Sequence, residues 1–396
     1  MKTKNLLFLY PFKFRKFDWD RFECEYLEKE YNIKIHIHEV IDFVHPHFQK
    51  AYLSEMQENR VTRFKNIKDW KKSFQSLIKV DPNMLICNEV KPENFSSLMI
   101  CLELKKYNIN DFEWASIKMP DKAIKLNEKI LFTKFFEFFL NPISIKYFLS
   151  DKFFKFLGNL FNLKPKYFFK SGTEHFLGPK NSTIIRGNAH DYSNYLIEKK
   201  NFNNKKVDRV TALYLEKPGP MFQGDNLLKK TNMSNLFTTE KWYPSLVKFF
   251  DRLEDLLKLK IKIAPHPKTK HKKFPSYYGK REIIDNRLAR ESFFAKIIIS
   301  IDSTGLCFST LHNIPSIMIY SDELNRNKIW REKQNYIADK LGVKPVNIDS
   351  KFDGNLIKNS LVINEEKYRE YKTKYLTSRN DQKLNYQILS NIELNK

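Results

Sequence analysis

Short apolar runs alternate with longer amphipathic stretches along most of this chain, and that alternation leaves few folds open. "NLLFLY" (5–10) has the composition of a buried strand and "RFECEYLEKEY" (21–31) has helical spacing. "IKIHIHEVIDF" (33–43) alternates as a strand, "MLICNEV" (84–90) is a short buried strand, and "SSLMICLELKKY" (96–107) is a helix opened by a serine cap. The pattern returns more cleanly further on. Strands are expected at "DRVTALYLE" (208–216), "KIKIAP" (260–265), "REIID" (281–285), "IIISID" (297–302) and "PSIMIYSD" (315–322). Between them lie helices at 243–260, with Pro244 in the first turn, at 287–296 and at 303–313. Strands separated by helices build crossovers and parallel sheets, so the expected class is doubly wound α/β. With 396 residues, 42% of them hydrophobic, the chain can fill two such domains. They are expected over 1–190 and 205–345, with a helical tail, 346–396, packing back on the first.

Residues 129–170 break the pattern by interleaving Phe with Lys, and they hold eight lysines against two acids. Asn141-Pro142 divides the stretch into something like a helical hairpin. One reading buries these rings in the core. The other is an interfacial anchor, with Phe135, Phe136, Phe139, Phe153 and Phe154 entering the headgroup boundary while Lys152 and Lys155 meet anionic lipid. Residues 171–206 read as a polar linker.

A formal charge of +24 points to anionic partners: nucleic acid, acidic lipid or nucleotide phosphate. With 10 glycines, and neither GxxxxGK nor GxGxxG, a glycine-rich phosphate loop is ruled out as the anion site. The four cysteines stand apart from one another, which argues against a zinc knuckle or a disulfide framework and fits a reducing compartment. The apolar run before Pro11 is too short for a signal sequence, and no stretch of about eighteen apolar residues spans a bilayer. A cytoplasmic location, peripheral to the inner face of the membrane, follows as an expectation.

Two strand ends carry unusual chemistry. "KIKIAP" runs into His266-Pro267-Lys268, and "IIISI" runs into Asp302-Ser303-Thr304, which opens a helix about thirty-five residues later. In open parallel sheets ligands sit at the carboxyl ends of strands, where strand order reverses. A helix start offers free N–H groups and hydroxyls to an anion, and an imidazole and an ammonium can approach from the neighbouring strand. Together these form a metal-free phosphate cradle. The plainer readings are a solvated basic loop after 266 and ordinary capping at 302–304, with Asp302 as the cap.

The segments "YPSLVKFFDRLEDLLKLKIKIAPHPKT", "YYGKREII" and "ISIDSTGLCFSTLHNIPSIMIY" resemble the C-terminal half of bacterial surface-polysaccharide glycosyltransferases of GT-B fold. The broader relatives are the HP-motif sialyltransferases and the Kdo and related nonulosonic acid transferases. The resemblance covers about 208–325. It implies two Rossmann-like domains facing a cleft, with the donor bound by the second and a glycan or lipid-linked glycan acceptor by the first. It also implies a CMP-activated sugar as cosubstrate with no cofactor or metal, His266 near the CMP phosphate or ribose, and Ser303 and Thr304 at the phosphate. These families use an acidic base, often in a D/E-D/E-G motif that has no clean copy here. Glu216, closing "LYLE" and expected to face the cleft, is the first candidate. Asp225, Asp191 and His190 stand in reserve. A polyol-phosphate transferase of the CDP-glycerol type is the nearest alternative. A non-enzymatic RNA-binding protein is the weaker one, because no RNP, KH or helix-turn-helix signature is present.

Overall fold

The computed structural model describes residues 5–46, 56, 58–115, 119–120, 142–174, 179, 181–202, 207–217, 236–266, 269, 274–284 and 288–390. Phe135, Phe136, Phe139, Asp225, Pro267 and Lys268 lie outside them.

Two wholly parallel sheets organise the chain. The first has seven strands: β1 (Asn5–Tyr10), β2 (Lys34–Glu39), β3 (Val61–Arg63), β4 (Leu85–Asn88), β5 (Asn110–Ala115), β6 (Tyr167–Ser171) and β7 (Thr183–Gly187). Their order is β3-β2-β1-β4-β5-β6-β7. The second has β8 (Thr211–Leu215), β9 (Lys260–Ala264), β10 (Ala295–Ser300), β11 (Ser316–Tyr320) and β12 (Val346–Asn347), in the order β12-β11-β10-β8-β9. Strand order therefore reverses twice, once between β1 and β4 and once around β8.

Each sheet is covered on both faces, which is why its central strands read as unbroken apolar runs. In β1, Leu6 and Phe8 point into one cluster and Leu7 and Leu9 into another. In β8, Ala212 and Tyr214 face the helix Thr239–Leu257, while Leu213 and Leu215 face the helices His190–Asn201 and Cys307–His312.

Several local expectations give way. Tyr167–Ser171, inside the stretch expected to be a helical hairpin, is strand β6 between β5 and β7. The expected linker contains β7 and the helix His190–Asn201. "REIID" contributes only an isolated bridge, Ile283 with Ile263. The helix expected at 287–296 stops at Glu291, because β10 begins at Ala295 between β8 and β11. Pro244 stands in the second turn of its helix, which begins at Thr239.

Residues 365–376 pack on the second sheet through Tyr368, Tyr371 and Tyr375. The chain then runs along the first sheet. Thr173 N–H bonds Thr373 O at 3.0 Å, and Ala189 N–H bonds Leu376 O at 2.7 Å. Gly172 sits at φ +61°, and a Cβ there would fall 2.1 Å from Lys374 O, so glycine is required. Asn188 and Asn385 exchange hydrogen bonds: Asn188 N–H donates to Asn385 Oδ1 at 2.9 Å, and Asn385 Nδ2 donates to Asn188 O at 3.2 Å.

The tail also closes over Glu23, whose Oε2 accepts Tyr386 N–H at 2.8 Å. Burial pushes this carboxyl up from 4.5 to about 7, against the hydrogen bonds of Tyr386, Ser193 and Asn385. Because the folded-state value lies above the unfolded one, ionising Glu23 weakens the fold; the penalty is absent at pH below 4.5 and complete above about 7. Glu23→Gln keeps a carbonyl oxygen for Tyr386 and removes the charge. In thermal melts the wild type should lose stability relative to Glu23→Gln between about pH 5 and about pH 8. Parallel pH profiles for the two proteins would refute this.

Candidate functional site

The site begins with what a chain must do when a buried strand ends in an acid. Glu216 follows β8 at the point where strand order reverses, and it is 3% exposed. A carboxylate in that position has to collect donors. Oε2 accepts His266 N–H at 2.9 Å and Thr269 Oγ1–H at 2.8 Å. Oε1 accepts the Tyr243 hydroxyl at 3.1 Å and a short bond from the Tyr278 hydroxyl. Burial raises the Glu216 carboxyl, and these four bonds oppose it. Burial and the Glu216 charge also drive the Tyr243 and Tyr278 hydroxyls upward, so both stay protonated as donors.

One side chain thus ties the helix Thr239–Leu257 and the turn Pro275–Tyr278 to the loop that leaves β9 with His266. The open face toward an acceptor, expected from the place of Glu216 in the sequence, is not seen among the described residues, where both oxygens already accept hydrogen bonds. Through His266 N–H and Thr269, Glu216 holds the loop in place.

The neighbouring end, β10, is held against the same strand. Ser300 Oγ–H donates to Leu215 O at 3.2 Å and accepts Ser303 N–H at 3.2 Å. Ser303, rather than Asp302, caps the turn Thr304–Leu306, accepting Gly305 N–H at 3.2 Å. A Cβ on Gly305 would come within 2.9 Å of Leu215 Cδ1, so the turn presses on the end of β8. Asp302 is occupied otherwise: it pairs with Lys217 and accepts Trp330 Nε1–H at 3.2 Å. That pairing neutralises an acid which would otherwise repel an anion at this edge.

Leu215 is in register with Ala264 and with Ser300, so Glu216, His266 and Asp302-Ser303-Thr304 leave three adjacent strands at one level. Strand spacing puts the two outer ends about 10 Å apart. His266, Ser303 and Thr304 are all partly exposed. A cavity of about 460 Å³ lies elsewhere, on the outer side of Tyr243, lined by Thr239, Glu240, Lys248 and Tyr277. Among the described residues no cluster of His, Cys, Asp and Glu has the make-up of a metal site.

The first sheet adds residues that the motifs did not reveal. Glu89 follows β4 at the β1/β4 reversal, and Trp114 N–H donates to its Oε1 at 3.1 Å. His190, a reserve candidate, is buried; its Nδ1 lies 2.8 Å from Arg21 O, and its ring packs on Phe22 and Trp114. Asp191, the other, takes a hydrogen bond from the Cys307 thiol with Arg21 nearby. His190 is closed off from a substrate, and Asp191 is partly exposed. The signal for Glu89 was there to read: an acid immediately after the short apolar run of "MLICNEV".

No protein-family profile matches the chain, and no curated protein does. Solved structures do. A variant of the wall teichoic acid polymerase TagF soaked with CDPG is 12% identical, covering 100% of this chain and 90% of that one, with a TM-score of 0.54. A putative UDP-N-acetylglucosamine 2-epimerase from Listeria monocytogenes is 12% identical over 99% of this chain and 96% of its own, with a TM-score of 0.50. The fold is GT-B. The expected relation to HP-motif sialyltransferases and Kdo transferases is not confirmed by these likenesses.

Removing the Glu216 carboxylate strands four buried donors. Glu216→Ala should cost about 2–4 kcal/mol in urea denaturation and speed amide exchange across 262–278. Unchanged exchange in that segment would show that the loop is held by something else.

Proposed function

We propose that this chain is a transferase that takes a cytidine-nucleotide-activated donor at the β9–β8–β10 edge and passes its group to a glycan acceptor. The observation that supports this most is the positioning of the His266 loop and the Ser303-Thr304 turn side by side at a strand-order reversal. Chemically, such an edge suits a leaving phosphate: hydroxyls and turn N–H groups donate to its oxygens, the His266 imidazole approaches from β9, and Lys217 offsets Asp302. Positioning and leaving-group stabilisation are what group transfer from a nucleotide requires, and protein groups supply both without a metal.

The first reading of the donor is a CMP-linked nonulosonic acid, from the HP and S/T motifs. A second reading, a CDP-linked polyol phosphate, is favoured by the likeness to the teichoic acid polymerase soaked with CDPG.

A membrane-bound acceptor fits one helix. In Pro142–Leu160, Leu149, Phe153, Phe156 and Leu160 are 59%, 56%, 61% and 63% exposed. Spaced four, three and four apart, they share one face. Lys152 and Lys155 stand exposed beside them, Lys155 pairing with Asp151 at 2.9 Å. Phe154, expected to belong to the anchor, is less exposed and does not join that face; Phe153 does. Among the described residues no helix is long and apolar enough to cross a membrane. This face would hold the first lobe against anionic lipid, where a lipid-linked acceptor is presented.

Two experiments test these readings. In calorimetric and thermal-shift titrations without added metal, CMP or CDP should stabilise the wild type more than UDP or GDP does. His266→Ala should weaken that binding by about tenfold, the loss of a charge-assisted contact. If no nucleotide stabilises the wild type, the donor site fails; turnover of CMP-sialic acid or of CDP-glycerol separates the two readings. In flotation, the chain should rise with phosphatidylglycerol vesicles, and Phe153→Ser with Phe156→Ser should leave it at the bottom. Wild-type protein that never floats would retire the membrane face.

A further inference from the structure

The first sheet also has an acid at its strand-order reversal, and its environment differs from that of Glu216. Glu89 N–H bonds Leu9 O at 3.1 Å, fixing the residue against the end of β1. Its Oε1 is taken by Trp114 N–H, with the Cys87 thiol 3.9 Å away. Its Oε2 has no hydrogen-bond partner among the described residues and is not shut away from solvent. One oxygen is anchored and the other is open.

The surroundings place this carboxylate at the junction of the lobes. Arg21 acts electrostatically on both Glu89 and Asp191. Asp191 lies in the first turn of His190–Asn201 and takes the thiol of Cys307, which opens the helix directly after the Ser303-capped turn. Arg21 and Asp191 thus link the surroundings of Glu89 to the helix that follows the Ser303-capped turn.

We propose that Glu89 is the general base that activates the acceptor. This rests on the transferase reading above. The acceptor O–H proton passes to Oε2 while the acceptor oxygen forms its bond to the donor's reacting carbon or phosphorus. The bond from that atom to the nucleotide oxygen breaks, and the nucleotide leaves with the electron pair. Both Glu216 oxygens already accept hydrogen bonds, whereas Glu89 has one oxygen held and one without a partner among the described residues.

The charged and titratable groups facing Glu89 are Glu113 from β5, Lys91 from its own loop, Arg21 from the helix Lys16–Arg21, Tyr10 from β1 and Cys87 from β4. Lys91 and Glu113 pair with each other at 2.8 Å. Burial, with Glu113 adding to it, lifts the Glu89 carboxyl to about 7, while Trp114 N–H, Lys91 and Arg21 oppose the rise. A base so poised is ionised above neutrality, and the rate should climb with pH through that value.

The test uses the full chain with 13C-labelled glutamate, CMP as the binding probe, and CMP-sialic acid and CDP-glycerol as donors, with water as the acceptor. A carboxyl resonance should titrate near 7 and vanish in Glu89→Gln, which still offers Trp114 an acceptor oxygen. The same variant should bind CMP within about twofold of wild type, lose about 100-fold or more in CMP release, and lose the acid limb of the pH profile. Glu89→Asp should retain the limb at a reduced rate. A Glu89 resonance titrating in the ordinary carboxylate range overturns the assignment. So does a Glu89→Gln protein with wild-type turnover and pH profile. Failure of the wild type to bind CMP removes the transferase reading instead, and the titration still judges Glu89 by itself.

Discussion

The second lobe is organised around a buried negative charge. Without its four donors, Glu216 would be too costly to keep at the end of β8. The cost of burying it therefore dictates where three separate segments must lie. The backbone at His266, the Thr269 hydroxyl, and Tyr243 and Tyr278 from two further elements all converge on the carboxylate because it cannot be hydrated there. A loop that would otherwise wander past the edge of the sheet is brought to a defined position beside the Ser303 turn. An apolar residue at 216 would leave those donors without a partner and the loop without an anchor.

The lobes are joined by the same economy of polar groups. Asn188 and Asn385 satisfy each other's backbone and amide groups, Gly172 lets the returning tail approach at backbone distance, and Glu23 receives Tyr386. The crossing combines these hydrogen bonds with apolar burial, since Tyr386, Ile388 and Leu389 of the tail pack into the first lobe's core. His190 extends the joint: it sits on a helix of the second lobe's apolar layer while its ring lies among Phe22 and Trp114 of the first.

The two reversal points show how one topological position serves opposite ends. Both sheets place a glutamate just beyond a central strand. Glu216 is closed in by two tyrosines, a threonine and a backbone N–H, and becomes a fixed point of the fold. Glu89 meets one backbone N–H, a nearby acid and a partial opening to solvent, and keeps a reactive oxygen. The difference lies entirely in what neighbouring segments bring to the site. Sequence position after a strand is identical in the two cases, so it could not tell the holder from the proton acceptor.

The alternation of apolar runs was enough to foretell parallel α/β layers, because strands such as β1, β4, β8 and β11 are buried on both faces whatever their partners are. The His266 and Ser303 motifs were legible for a similar reason: a polar cluster that ends an apolar run must lie at a sheet edge. Tyr167–Ser171 was not legible. Its aromatic and lysine content suits a helix or a strand, and only pairing with β5 and β7 chose the strand. Nor could sequence tell which of Phe154 and Phe156, set on different sides of their helix by spacing, turns inward, since the packing of Gly158 against Pro92 sets that. Local composition determined the layers and the edge on which chemistry could sit. Tertiary contact alone decided which carboxylate is satisfied and which is open, because hydrogen-bond satisfaction depends on donors that arrive from distant parts of the chain.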